Sequence, residues 1–141
     1  MTRRLITHLR YGALAMPNYE EEREFFTKFW GLSEVHRDGD TSYLGAEGSP
    51  EPYVVRIRKG EKRIDLVSFG AANREDVHTL HDRLVANGVQ VIHAPKELTQ
   101  FGGGYGMRFF DSEGRTIEVS TEVELKGSRK INEREPIPVK L

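Results

Sequence analysis

Five histidines and no cysteine stand among the 141 residues. The missing thiol excludes a cysteine nucleophile, an iron–sulfur cluster, a cysteine-ligated zinc and a disulfide scaffold. Chemistry would fall to histidine and carboxylate. His8, His36 and His93 are isolated in strand-like segments. His78 and His81 stand three apart in a helical pattern, a spacing that puts two imidazoles on one face and can ligate a surface metal. As a set the five read as surface or interface histidines. The run Gln100-Phe101-Gly102-Gly103-Gly104-Tyr105-Gly106 holds four glycines. It lacks the Gly-Lys-Ser/Thr end of a phosphate loop. It follows no strand-to-helix turn, so a dinucleotide fingerprint is excluded as well. It reads as a loop leading into a strand; its functional reading is a cover over a cavity.

The elements that must position these residues come in two similar sets. Leu9 to Met16 is strand-like, and Pro17-Asn18 ends it. Tyr19 to Trp30 reads as a helix, with Asn18 as N-cap and Glu20, Glu21 and Glu22 on the positive end of the helix dipole. Phe25, Phe26, Phe29 and Trp30 fall on one helical face and are expected in the core, with any remainder in contact with a second domain or subunit. Gly31 stops the helix. Strands are expected at Ser33–Arg37, Thr41–Gly45 and Tyr53–Lys59, the first two joined by the hairpin signal Asp38-Gly39.

The second set repeats the order. Arg63 to Gly70 is a strand, and Asn73 caps a helix over Arg74–Asn87. Val77, Leu80, His81, Leu84 and Val85 form its apolar stripe. Gly88 ends it, 57 positions after Gly31. Strands follow at Val89–His93, Tyr105–Asp111 and Thr116–Thr121. The expected fold is therefore α+β: two βαβββ modules, at about 5–60 and 61–123, forming one curved mixed sheet around a cavity. Residues 124–141 are charged and contain Pro136-Ile137-Pro138, which suits a linker or tail.

Composition narrows the function classes. With 37% hydrophobic and 30% charged residues, the chain is an ordinary globular domain. A net charge of −1 argues against nucleic acid as partner. No apolar run is long enough for a membrane span. No apolar segment follows the basic start Arg3-Arg4, so a secretory signal is not expected and a cytoplasmic setting is.

Four segments resemble the vicinal oxygen chelate (glyoxalase/bleomycin-resistance/dioxygenase) superfamily, with most likeness to the N-terminal domain of type I extradiol ring-cleaving dioxygenases such as the 2,3-dihydroxybiphenyl and catechol enzymes. They are Leu9–Asn18; Phe25-Phe26 through Trp30-Gly31-Leu32, similar to the family's FYxxxLGL; Asp38–Leu44; and Met107–Ser120. The last is similar to FxDPxGxxxEl, with Ser112 in place of proline. Pro136–Leu141 resembles the linker that precedes a second domain, whose first strand carries a metal-ligand histidine.

The resemblance implies a ligand set of two histidines and a glutamate for the members that do chemistry. The glutamate position matches Glu118. The histidine positions match Tyr11 and Leu66, and Asp65 beside Leu66 points to the other face by strand alternation. The implied state is no catalytic residue and no cofactor in this chain, with Fe(II) or Mn(II) in a dioxygenase parent. Glu118 is expected to face the cavity, hydrogen-bonded to Tyr11 or Arg108. The favoured function is the metal-free module of an extradiol dioxygenase acting on catechol-type diols with O₂. Its partner would be a catalytic C-terminal domain or a homo-oligomer. The alternative is a stand-alone small-molecule binding protein whose cavity takes an aromatic compound. A self-sufficient metalloenzyme lacks its ligands.

Overall fold

A computed structural model describes residues 4–126 of the chain. Most of the expected linker, 127–141, lies outside the described residues. Eight strands form one mixed sheet in the order β2-β3-β4-β1-β5-β8-β7-β6. They are β1 (His8–Met16), β2 (Ser33–Asp38), β3 (Thr41–Gly45), β4 (Val55–Lys59), β5 (Arg63–Gly70), β6 (Val91–Glu97), β7 (Tyr105–Phe110) and β8 (Thr116–Thr121). Helix α1 spans Tyr19–Glu24 and continues as a π-helical turn over Phe25–Phe29; α2 spans Arg74–Ala86.

The strand order reads the same from either end once β1 is exchanged for β5, and so on through the modules. Each module closes on a parallel pair, β1 with β4 and β5 with β8, and the modules join through antiparallel β1 and β5. The sheet is curved but not closed. The two βαβββ units inferred from the repeat are thus present.

Both helices pack on one face of the sheet. Under α1 lie Met16, Tyr19, Phe26, Leu44 and Ile57. Under α2 lie Ala71, Val77, Met107 and Val119, with Leu80 and Leu84 packed against them. Strand alternation sends the neighbouring positions to the concave face, where Tyr11, Ala13, Tyr53 and Leu66 gather with Tyr43 and Phe101. The concave side is filled by aromatic rings rather than left open.

Asn73 caps α2 as expected, its side chain accepting from the Asp76 amide at 2.8 Å. Other local expectations are corrected. Asn18 makes no side-chain cap bond to α1. Only Phe26 of the aromatic stripe is buried; Phe25, Phe29 and Trp30 are 48, 80 and 65% exposed. For Phe29 and Trp30 the reason is the π turn. The Trp30 amide reaches back five residues to the Phe25 carbonyl (3.2 Å), and the extra residue rotates the rest of the helix by roughly 100°. Trp30 then stacks on Phe26 from outside, at 5.1 Å and 9°. Val85 of the α2 stripe is also exposed. Strand β6 starts later than expected and runs through Pro95, which an edge strand tolerates.

Candidate functional site

Glu118 is the centre of the concave face. It sits on β8, where alternation buries Val119 under α2 and turns Glu118 and Ser120 the other way. The sheet register sets its neighbours. Arg108 on β7 pairs with Glu118, Ser68 on β5 pairs with Glu118, and Tyr11 on β1 pairs with Ser68. Four adjacent strands therefore place Tyr11, Ser68, Glu118 and Arg108 side by side in one row.

The carboxylate is fully used. Oε1 accepts from the hydroxyls of Tyr11 (3.1 Å) and Ser68 (2.8 Å). Oε2 accepts from Arg108 Nε (2.9 Å) and lies 2.8 Å from Nη2 in the same ion pair. Both carboxylate oxygens are thus engaged. The Glu118 side chain is 1% exposed, so its charge depends on this pairing. Burial alone would weaken Arg108's proton affinity, but the charge and hydrogen bond of Glu118 outweigh it and hold the guanidinium pKa above its usual value. Burial, then the Glu118 charge, pushes the Tyr11 phenol up to about 12. Tyr53, whose ring meets Tyr11 at 4.5 Å, is raised further, again first by burial. Both phenols are protonated donors at neutral pH.

A second layer closes over the row. Gln100 accepts from Arg108 Nη2 (2.6 Å) and donates to the hydroxyls of Tyr11 (3.2 Å) and Tyr53 (3.4 Å). Phe101 stacks on His36 and covers Tyr43 and Tyr53. The free volume beneath is about 10 Å³, room for about one water. To one side, Glu51 accepts from buried Arg10 (2.8 and 2.9 Å) and from His8 Nε2 (2.7 Å), tying the loop before β4 to β1.

The sequence-derived positions are brought together unevenly. Tyr11 and Arg108 both bond Glu118. Leu66 lies on the same face, two residues along β5, buried against Tyr11 and Tyr53; the β5 side chain level with the carboxylate is Ser68. Asp65 lies away from the row, paired with Arg58 (2.5 and 2.9 Å) and Arg63 (3.2 Å). His78 bonds Tyr105, His81 lies beside Asp82, and His93 turns to the Ala94 carbonyl. Sequence pattern does not mark Ser68, Tyr53 or His36 as site residues. The signal for Gln100 and Phe101 is their place directly before three glycines.

This donor set does not fit a divalent cation. Glu118 is surrounded by two hydroxyls and a guanidinium, and any metal would have to displace Arg108. Among the described residues no group of three or more His, Cys, Asp or Glu converges on one point. No helix among them is long and apolar enough to cross a membrane.

No family model matches the chain. A manganese-dependent 2,3-dihydroxybiphenyl 1,2-dioxygenase from Geobacillus genomosp. 3 is 35% identical over 115 residues, which are 79% of this chain and 36% of that protein. The Mn(II)-bound glyoxalase from Novosphingobium aromaticivorans superposes with a TM-score of 0.85 at 35% identity, covering 96% of this chain and 46% of the other. The chain belongs to the vicinal oxygen chelate superfamily. The 2,3-dioxygenase LapB from Pseudomonas sp. KL28 shares the superfamily fold, with a TM-score of 0.78 at 22% identity over 97% of this chain and 48% of that one. The chain thus spans about a third of its curated relative and about half of these two structures.

Proposed function

We propose that this chain is the N-terminal, metal-free module of an extradiol ring-cleaving dioxygenase acting on catechol-type aromatic diols with O₂. One observation carries the reading. Both oxygens of Glu118, which the family resemblance matches to the glutamate ligand, are engaged by Tyr11, Ser68 and Arg108. The likeness to a third of a manganese-dependent dioxygenase supports the parent reaction. On this reading the parent's Fe(II) or Mn(II) is held by a catalytic domain, and no step of ring cleavage is placed on residues of this chain. Its own residues do structural work: Arg108 neutralises a buried carboxylate, and the row ties four strands together across both modules. The partner is that catalytic domain or a second copy of the chain, and the setting is cytoplasmic.

Elemental analysis of the purified protein, without an affinity tag, tests the module reading. No stoichiometric Fe, Mn or Zn is expected, before or after incubation with Mn(II) or Fe(II). Oxygen uptake with catechol and 2,3-dihydroxybiphenyl should stay at the protein-free rate. One tightly held metal per chain together with yellow ring-cleavage product would overturn it.

A further inference from the structure

Away from the Glu118 row, three side chains form a line of hydrogen bonds at the start of β1. Thr7 stands just before the strand and His8 opens it, and both are exposed. The Thr7 hydroxyl and His8 Nδ1 are 2.8 Å apart, and His8 Nε2 is 2.7 Å from Oε1 of Glu51. Glu51 is buried and bonded through both oxygens to buried Arg10 (2.9 and 2.8 Å). Burial would raise the Glu51 pKa, but the His8 hydrogen bond, then Arg10, bring it below its ordinary value, so the group is ionised at neutral pH. An ionised carboxylate only accepts, so Nε2 carries the ring proton. In the neutral imidazole Nδ1 is then the acceptor, and the Thr7 hydroxyl donates to it. The backbone fixes the arrangement. Thr7 N–H donates to the Gly70 carbonyl (2.8 Å), and His8 pairs with Gly70 across the β1–β5 ladder. The imidazole lies over Gly70, where a Cβ would overlap it.

A hydroxyl bonded to one ring nitrogen, with the other held by a carboxylate, is the arrangement that activates an alcohol as a nucleophile. We infer that Thr7, His8 and Glu51 form a separate reactive site, at which Thr7 takes an acyl group from an aryl ester. Thr7 Oγ1 attacks the ester carbonyl carbon while its proton passes to His8 Nδ1. The bond from that carbon to the aryl oxygen breaks, and the departing oxygen takes the proton from Nδ1. Water then attacks the acyl-threonine with the same nitrogen as base. The carboxylic acid leaves and the Thr7 hydroxyl is restored. Thr7 and His8 are the catalytic residues. Glu51 is a positioning residue, which holds the ring and its tautomer. An aryl ester is the substrate class because an aryl oxide is a good leaving group. The site opens to water, where an oxyanion gains little from fixed donors. One acyl transfer per chain followed by slow turnover is therefore expected. The inference goes beyond the module reading and does not depend on it.

The test incubates the full chain with p-nitrophenyl acetate and locates the acetyl groups by peptide mass spectrometry. The surface lysines, labelled in the same sample, serve as internal reference. Thr7 is expected to acetylate ahead of the lysines, and Thr7→Ser to acetylate at the same position. His8→Gln removes the base and should slow labelling of Thr7 by at least about tenfold. Gly70→Ala keeps every reacting group but displaces the ring, and Glu51→Gln loosens its hold. Both should lower the ratio of Thr7 to lysine labelling, which a merely structural loss would not select. Acetyl on His8 or the lysines without Thr7, Thr7 labelling undiminished in His8→Gln, or an unchanged ratio in both positioning variants overturns the inference.

Discussion

Arg108 lies directly across the β7–β8 ladder from Glu118, with two guanidinium nitrogens 2.9 and 2.8 Å from the same carboxylate oxygen. The ion pair meets the electrostatic need of a buried carboxylate. A carboxylate 1% exposed is costly to bury without a counter-charge and hydrogen-bond donors.

Breaking one side of this pair should cost far more than removing both. Arg108→Met leaves a buried charge with two hydroxyl donors only, and a loss of about 3 kcal/mol is expected. The double variant Arg108→Met with Glu118→Gln should recover at least half of that, because no uncompensated charge remains. Urea unfolding of the two singles and the double measures the coupling. Additive losses would show that the two side chains do not act as a pair.

The phenols give an alkaline signature. Tyr11 is raised from 10.0 to about 12, and Tyr53 is raised as well. A raised pKa means that folding favours the protonated phenol. Its contribution is complete below pH 10 and is lost as pH rises from 10 towards 12. Ultraviolet titration should therefore show at least two of the five tyrosines lagging behind the usual range. Tyr11→Phe should remove one tyrosine's worth of the late amplitude. A single transition of all five near pH 10 in the folded protein would contradict the burial described.

Glu51 supplies the acid counterpart. Burial would raise its pKa, but the hydrogen bond from His8, then the charge and hydrogen bonds of Arg10, outweigh it and bring it below 4.5. A lowered pKa means that its contribution is complete above pH 4.5 and is lost as pH falls through the folded value. Glu51→Gln should flatten the stability profile below pH 4.5. It should also cost about 3 kcal/mol at pH 7, because Arg10 is left buried without its carboxylate. Thermal melts from pH 3 to 8 on both proteins check the two effects together.

Much of the fold is legible in the sequence because it rests on spacing. The glycines that end the two helices, the hairpin signal at Asp38-Gly39 and period-two strands point to the βαβββ repeat and to the face of each strand. Glu118 is legible through the family resemblance, which matches it to the glutamate position, with Tyr11 or Arg108 as its expected hydrogen-bond partner. Ser68 is not, because its role depends on the register of the parallel pair β5 and β8, strands that are not consecutive in the second module, and local pattern does not set that register. Gln100 and Phe101 read as loop residues with a cavity cover as the functional reading; the packed sheet shows which groups they meet.

The aromatic helix face departs from its sequence pattern for a reason that can be tested. A regular helix from Tyr19 to Trp30 would bury Phe25, Phe26, Phe29 and Trp30 together. The π turn leaves Phe26 at 5% exposure and Phe29 at 80%. Phe26→Ala should then cost about 3–5 kcal/mol, through lost contact with Met16, Leu44 and Ile57 and the cavity left behind. Phe29→Ala should change stability by about 0.5 kcal/mol or less, as surface substitutions do. Paired denaturation curves decide between the two helix geometries. Comparable losses at both positions would mean that the helix continues regularly and that Phe29 is packed. A large loss at Phe26 alone places the phase change between them, at the turn where the Trp30 amide reaches the Phe25 carbonyl.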